Sequence, residues 1–168
     1  MTGVAPPMTT DDVEADFDAL YSSTFQGLTL QLYAYLGDLA EAQDAVQDAF
    51  CRAYERWARI GRYDNPVAWV RRVAWNAATT RLRRRRVARR VLLRPRLESV
   101  PGPDPDRVAL TRALATLPER QRRVVVLHYL AHLTIAEIAA QESIAEGTVK
   151  SWLSRGRAAL ASQLKGGN

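Results

Sequence analysis

Thiol chemistry is almost absent from this 168-residue chain: its single cysteine, Cys51, cannot form an internal disulfide. No apolar run approaches the roughly 20 residues that a membrane-spanning helix needs. The N-terminal stretch MTGVAPPMTTDDVEADF lacks the basic start and apolar core of a signal peptide. A cytoplasmic protein without membrane insertion is therefore expected. There is no glycine-rich phosphate loop, no Ser-His-Asp pattern and no pair of catalytic carboxylates, so neither an enzyme nor a bound cofactor is expected. His128 and His132 stand four apart, a spacing that suits a metal on a helix. No cysteine or carboxylate motif accompanies them, and no metal is expected. Strand-like alternation is lacking as well, and every periodic stretch repeats at three or four residues. The fold class is all-α.

Charge of one sign is missing from two stretches. Residues 1–51 hold nine carboxylates and no Lys or Arg, and residues 65–97 hold eleven Arg and no Asp or Glu. An acidic surface of the first kind repels phosphate, while an arginine-rich stretch without counter-charge attracts it. The division suggests one surface for a basic protein partner and another for nucleic acid. An arginine run by itself is usually only a solvated basic surface.

Phe17, Leu20, Tyr21, Phe25, Leu28, Leu32 and Leu36 form one apolar stripe, which Gly37 ends. Asp38 opens a second helix, with Glu41 placed to complete a capping box. Its stripe runs from Ala42 through Phe50 and Tyr54 to Trp57. The loop IGRYD leads to Asn65 and Pro66, an N-cap followed by Pro at the first helical position. A third helix then buries Val67, Val70, Val73, Ala74 and Ala77. Four prolines in PRLESVPGPDP exclude helix and mark a linker. Beyond it, Thr116 and Glu119 are placed to form a capping box, and LTIAEIAAQESIAEGTVKSWLSRGRAAL has helix-turn-helix form. There Thr134 and Glu137 form a box, a turn spans Gln141–Ile144, and Val149, Leu153 and Leu160 face inward. The organisation expected is a disordered N-terminus (1–14), a three-helix unit (15–90), a proline-rich linker (91–108) and a second helical unit (109–164). The second unit would place hydroxyls, one Lys and two Arg on the exposed side of its last helix, a set suited to a major groove. A helical hairpin with a solvated polar face is the alternative.

LPERQRRVVVLHYLAHLTIAEIA followed by GTVKSWLSRGRAAL resembles region four of extracytoplasmic-function sigma factors, the smallest members of the sigma-70 family. EAQDAVQDAFCRAYERW and NPVAWVRRVAWNAATTRLRRRR resemble region two, so the likeness covers residues 17–90 and 109–163. It implies a sigma factor that binds core RNA polymerase, at the largest-subunit coiled coil and the flap, and directs promoter recognition and melting. An anti-sigma factor is an optional further partner. The matching core-docking positions are Asp44, Gln47 and Asp48, supported from beneath by Phe50 and Tyr54. Region two implies capture of the minus-ten element, with a base of the melted non-template strand flipped into a loop at Arg62, Tyr63, Asp64 and Asn65. Asn76 would contact that element, and Arg71, Arg72, Arg83 and Arg84 would hold phosphates. Trp69 and Trp75 could stack on unpaired bases, although at helical spacing such residues are usually core. Region four implies duplex reading of the minus-thirty-five element by Thr148, Lys150, Ser151, Ser154 and Arg155. The linker would run through the polymerase and be displaced by growing RNA.

The sequence departs from the pattern at five places. Thr80 stands where Asp is usual, Gln43 replaces an acid, Glu142 an apolar residue, Ser143 a Gly and Trp152 an Arg. Two rivals remain at this level. A stand-alone helix-turn-helix regulator leaves the acidic helix without a role, and a protein-binding adaptor leaves the acid-free arginine stretch unexplained.

Overall fold

In the computed structural model, which describes residues 10–92 and 104–166, every regular element is an α-helix. The order is α1 (Thr10–Leu36), α2 (Leu39–Glu55), α3 (Trp57–Ile60), α4 (Pro66–Leu92), α5 (Pro105–Ala115), α6 (Glu119–Tyr129), α7 (Ile135–Glu142) and α8 (Glu146–Gly166).

Gly37 terminates α1 in the left-handed region at φ 74°, where a side chain would be strained. Asp38 then caps α2 by accepting the Glu41 N–H at 3.0 Å. The reciprocal half of the expected box is missing, because the Glu41 carboxylate turns instead to Arg85 at 3.2 Å. The short α3 was not expected from the sequence. It follows from the burial of Trp57 and Ile60, and the Trp57 indole N–H donates to Val13 O at 2.8 Å. That bond ties the start of α1 down, so residues 10–14, expected to be disordered, belong to a helix. Asn65 caps α4 by accepting the Ala68 N–H at 2.9 Å, ahead of Pro66 at the first helical position.

Alanines on α2 allow the first unit to close. Ala42, Ala45, Ala49 and Ala53 are fully buried, and their small side chains let α1 and α4 pack closely on either side. Leu32, Tyr35, Leu36, Phe50, Val70 and Trp75 fill the remaining space. In the second unit Val124, Leu127, Ile138, Val149 and Leu153 bring α6, α7 and α8 together. The capping box expected at Thr116 and Glu119 does not form. Thr116 closes α5 and donates to Ala113 O at 2.7 Å, while Pro118 precedes α6 without a side-chain cap.

Glu119 has a different use. Its carboxylate accepts the Tyr35 hydroxyl at 2.9 Å and pairs with Arg86, so it joins the second unit to α1 and α4. The units expected as separate domains therefore share one hydrophobic cluster, with α5 and α6 packed on α1. Residues 93–103, most of the expected linker, lie outside the described residues; 105–108, assigned to it, are the first turn of α5. Arg122 is 8% exposed and donates to the carbonyls of Tyr35 (2.9 Å), Ala115 (3.2 Å) and Leu117 (3.2 Å). Its charge is met by carbonyl dipoles from both units, and burial pulls its pKa below the usual arginine value. Arg123 pairs with Glu142 at 2.6 Å, lies 5.2 Å over the Trp75 ring and donates to the Thr79 hydroxyl.

Burial, with the negative Glu119 as a smaller cause, pushes the Tyr35 hydroxyl up from 10.0 to about 12. The folded chain thus keeps a proton that the unfolded chain releases. The stability this confers is complete below about pH 10 and is lost as the pH rises toward about 12. Tyr35→Phe should cost about 1 kcal/mol near neutrality for the lost hydrogen bond. The gap in urea midpoint between the two proteins should narrow through that alkaline window, whereas a gap independent of pH would contradict the buried, neutral phenol.

Candidate protein and nucleic-acid interfaces

Asp44, Gln47 and Asp48 recur at three and four residues on α2 and share one exposed face, as the helical repeat requires. The Asp44 and Asp48 side chains are 71% and 56% exposed. They are not free of counter-charge. Arg81, reaching across from α4, lies 2.6 Å from Asp48 and 3.7 Å from Asp44, and Arg85 pairs with Glu41 one turn earlier. Gln47 accepts the Tyr21 hydroxyl at 3.3 Å. Phe50 lies buried beneath this face as expected, but Tyr54 does not. Phe17 packs edge-on against Phe50, Tyr54 and Trp57 and fills the space below, which leaves Tyr54 on the rim at 55% exposure.

The loop before α4 presents Arg62, Tyr63, Asp64 and Asn65 to solvent. Gly61 begins it, and an added Cβ there would lie 3.0 Å from Trp57 O and 3.1 Å from the Trp57 ring, so the buried indole leaves little room for a side chain. The Tyr63 hydroxyl accepts Arg59 Nε at 2.9 Å. Asn65 Oδ1 is engaged as the helix cap, which leaves its amide N–H groups as the available donors.

Along α4, Arg72, Asn76, Arg83 and Arg84 are exposed, and these three arginines have no ion pair among the described residues. Arg71 is different. It is half-buried and donates to Gln141 Oε1 of α7 at 2.9 Å, and burial pulls its pKa down against the opposing charge of Glu137. Trp75 is wholly buried, 4.9 Å from the Tyr35 ring centroid, which makes it a core residue here and not a stacking platform. Asn76 and Arg84 line a cavity of about 470 Å³ with Asp48, Arg52, Thr80 and Arg81. Thr80, at a position where the resembled pattern has Asp, donates to Asn76 O at 3.0 Å. Sequence reasoning missed Arg52 and Arg81 in this group. Arg52 is one turn from Asp48 on the same helix and could have been found; Arg81 required knowing how α2 and α4 face each other.

The helix-turn-helix forms as the sequence predicts. Thr134 and Glu137 make a full capping box, with the Thr134 N–H 2.7 Å from Glu137 Oε2 and the Glu137 N–H 3.2 Å from Thr134 Oγ1. The backbone and hydroxyl donors of Thr134 hold the Glu137 carboxyl below its usual pKa. The turn is shorter than the Gln141–Ile144 expected, because Gln141 and Glu142 complete α7, and Glu142 is half of the Arg123 ion pair, both side chains being 13% exposed. Ser143 takes the left-handed conformation at φ 56° that a glycine would occupy without strain. Val149 and Leu153 are buried and Leu160 is half-buried, while Lys150, Ser154 and Arg155 are exposed and Thr148 and Ser151 partly so. Gly156 allows close packing, since a Cβ would come within 2.8 Å of Val125 Cγ2. Trp152 lies half-buried with the Arg120 guanidinium 5.7 Å from its ring, so it packs where the usual Arg would reach outward. His132 falls beyond the end of α6 at φ 56°, so it does not share a helix with His128.

Residues 20–88 match the family described as Sigma-70 region 2, and residues 107–160 match Sigma-70, region 4. The chain is 36% identical over 131 residues to the RNA polymerase sigma-E factor of Streptomyces antibioticus, covering 76% of this chain and 73% of that protein. It is 30% identical over 175 residues to the ECF RNA polymerase sigma factor SigW of Bacillus subtilis, covering 92% and 90%. Among solved structures, the sigma factor RpoE from Bartonella quintana, crystallised with the anti-sigma factor NepR, has the same fold. The TM-score is 0.77 at 24% identity over 91% of this chain and 99% of that one.

The strain at Ser143 yields a direct test. Ser143→Gly should raise stability by about 1 kcal/mol, because the left-handed backbone costs a side-chain-bearing residue roughly that much. A urea or thermal melt reads this as a higher midpoint, and a lower one would mean that the serine side chain stabilises the turn.

Proposed function

The chain belongs to the sigma-70 family, and we propose that it divides its work between two surfaces: exposed acids of α2 dock on core RNA polymerase, and α4 with its preceding loop and α8 hold promoter DNA. As a sigma factor it directs core polymerase to promoters and starts transcription, and nucleotidyl transfer is the polymerase's own chemistry. Asp44, Gln47 and Asp48 offer the basic partner a compact acidic face. Arg62, Tyr63, Asp64 and Asn65 would receive a base of the melted non-template strand. Asn76 would contact the minus-ten element, and Arg72, Arg83 and Arg84, with Arg71 once its bond to Gln141 is released, would hold phosphates. Thr148, Lys150, Ser151, Ser154 and Arg155 would read the minus-thirty-five duplex, assisted by the N-terminal amides of α8.

The observation that carries this reading is the contrast between neighbouring helices: exposed acids on α2, and arginines on α4 that lack an ion pair among the described residues. In this reading α1–α4 and α5–α8 are the two working units. No helix among the described residues is long and apolar enough to cross a membrane, and we place the protein in the cytoplasm with the polymerase it serves. An anti-sigma factor, the partner in the Bartonella structure, belongs to the same proposal. The family match disfavours a stand-alone regulator or an adaptor.

Charge reversal separates the two surfaces. Asp44→Lys with Asp48→Lys should abolish co-purification with core polymerase while helicity by circular dichroism is kept, since both side chains are largely exposed and surface ion pairs contribute little to stability. Arg155→Ala should leave polymerase binding intact and weaken upstream promoter contact by about 1–3 kcal/mol if it reads a base. Retention of core by the doubly reversed protein would show that docking lies elsewhere.

A further inference from the structure

We propose that Arg81 is a positioning residue that couples the two surfaces: in the free chain it is held by Asp44 and Asp48, and docking of a basic partner on those acids releases it to a DNA phosphate. The proposal rests on the docking reading above. Its basis is a juxtaposition that neither surface shows alone. Arg81 belongs to the arginine-rich helix α4, yet its guanidinium points to α2, 2.6 Å from Asp48 and 3.7 Å from Asp44. Its side chain is 28% exposed, partly held down between the helices, whereas the two carboxylates are mostly in water. A cationic partner can therefore reach the acids without first displacing the arginine.

The other side of Arg81 is the cavity of about 470 Å³ between α2 and α4. Arg52, Asn76, Thr80 and Arg84 line it together with Arg81 and Asp48. While Asp48 stays paired with Arg81, the cavity contains a carboxylate and one neutralised guanidinium. If a partner's cation takes up that carboxylate, three arginines face the same space with the Asn76 amide, a set that suits a phosphate oxygen. Arg81 then joins Arg84, already assigned to phosphate, one turn of α4 apart at 81 and 84. The coupling must be reciprocal: whatever strengthens DNA contact when the acids are occupied also strengthens partner binding when DNA is bound. Exposed ion pairs are weak, so the expected factor is about two- to fivefold and not a switch.

The full chain without polymerase provides the test. Removing the carboxylate charges by Asp44→Asn with Asp48→Asn imitates their occupation. The affinity for a labelled single-stranded DNA oligonucleotide, measured by fluorescence anisotropy at low salt, should rise about two- to fivefold. The gain should vanish when Arg81→Gln is added. Glu55→Gln, at an exposed acid of α2 that has no ion pair with a described residue, should give a much smaller gain. A gain that persists without Arg81, a gain matched by Glu55→Gln, or no gain at all would each overturn the coupling. A pull-down of core polymerase by the unaltered chain reports separately on the docking reading, so failure of one is distinguishable from failure of the other.

Discussion

Helix α4 carries a long run of arginines and no carboxylate of its own, so every counter-charge it receives must come from another element or another molecule. Like charges spaced along one helix repel, and two other helices answer part of this. Arg81 and Arg85 are met by α2 through Asp44, Asp48 and Glu41, and Arg86 is met by Glu119 of α6. Arg72, Arg83, Arg84, Arg89 and Arg90 remain exposed without an ion pair among the described residues. That unfilled remainder is what phosphate would complete. The same shortage that suits α4 to phosphate also brings carboxylates of α2 and α6 to it.

Packing and function therefore overlap along α4. Its inner side, with Val70, Ala74 and Ala78, closes the first unit, while Trp75 and Thr79 receive Arg123 from the second. Arg122 adds a bridge by donating to Tyr35 O of α1 as well as to carbonyls of its own unit. In this arrangement Arg71 is held by Gln141, so one candidate phosphate ligand is already engaged by the helix-turn-helix unit. The exposed face of α8 is unaffected by that contact and keeps Lys150, Ser154 and Arg155 available.

Much of this was legible in the sequence, and the reasons are local. Gly37, Asp38, Asn65 with Pro66, and Thr134 with Glu137 act on the backbone within a few residues of themselves, so reading them required no tertiary knowledge. The exposure of the acids on α2 followed from helical periodicity alone. Failures occurred where a side chain had a distant partner. Glu41 and Glu119 fit cap positions by spacing, but Arg85 and Tyr35 claim their carboxylates. Tyr54 fits the buried stripe by spacing yet is displaced by Phe17. Glu142, the last residue of α7, departs from the resembled pattern for a reason invisible in sequence, because Arg123 pairs with it; nothing in the structure explains the serine at 143. The joining of the two units was equally hidden, because Arg122 and Tyr35 are 87 residues apart.

The central claim is that the arginines left over on α4, together with α8, grip promoter DNA once the acids of α2 are engaged by polymerase. A gel shift with one promoter fragment, run with and without core polymerase over a series of salt concentrations, tests it most directly. The account predicts a specific complex only when core is present, with affinity falling steeply as salt rises, as expected when phosphate contacts dominate. Specific binding of the fragment by the chain alone, equal to that seen with core, would contradict it.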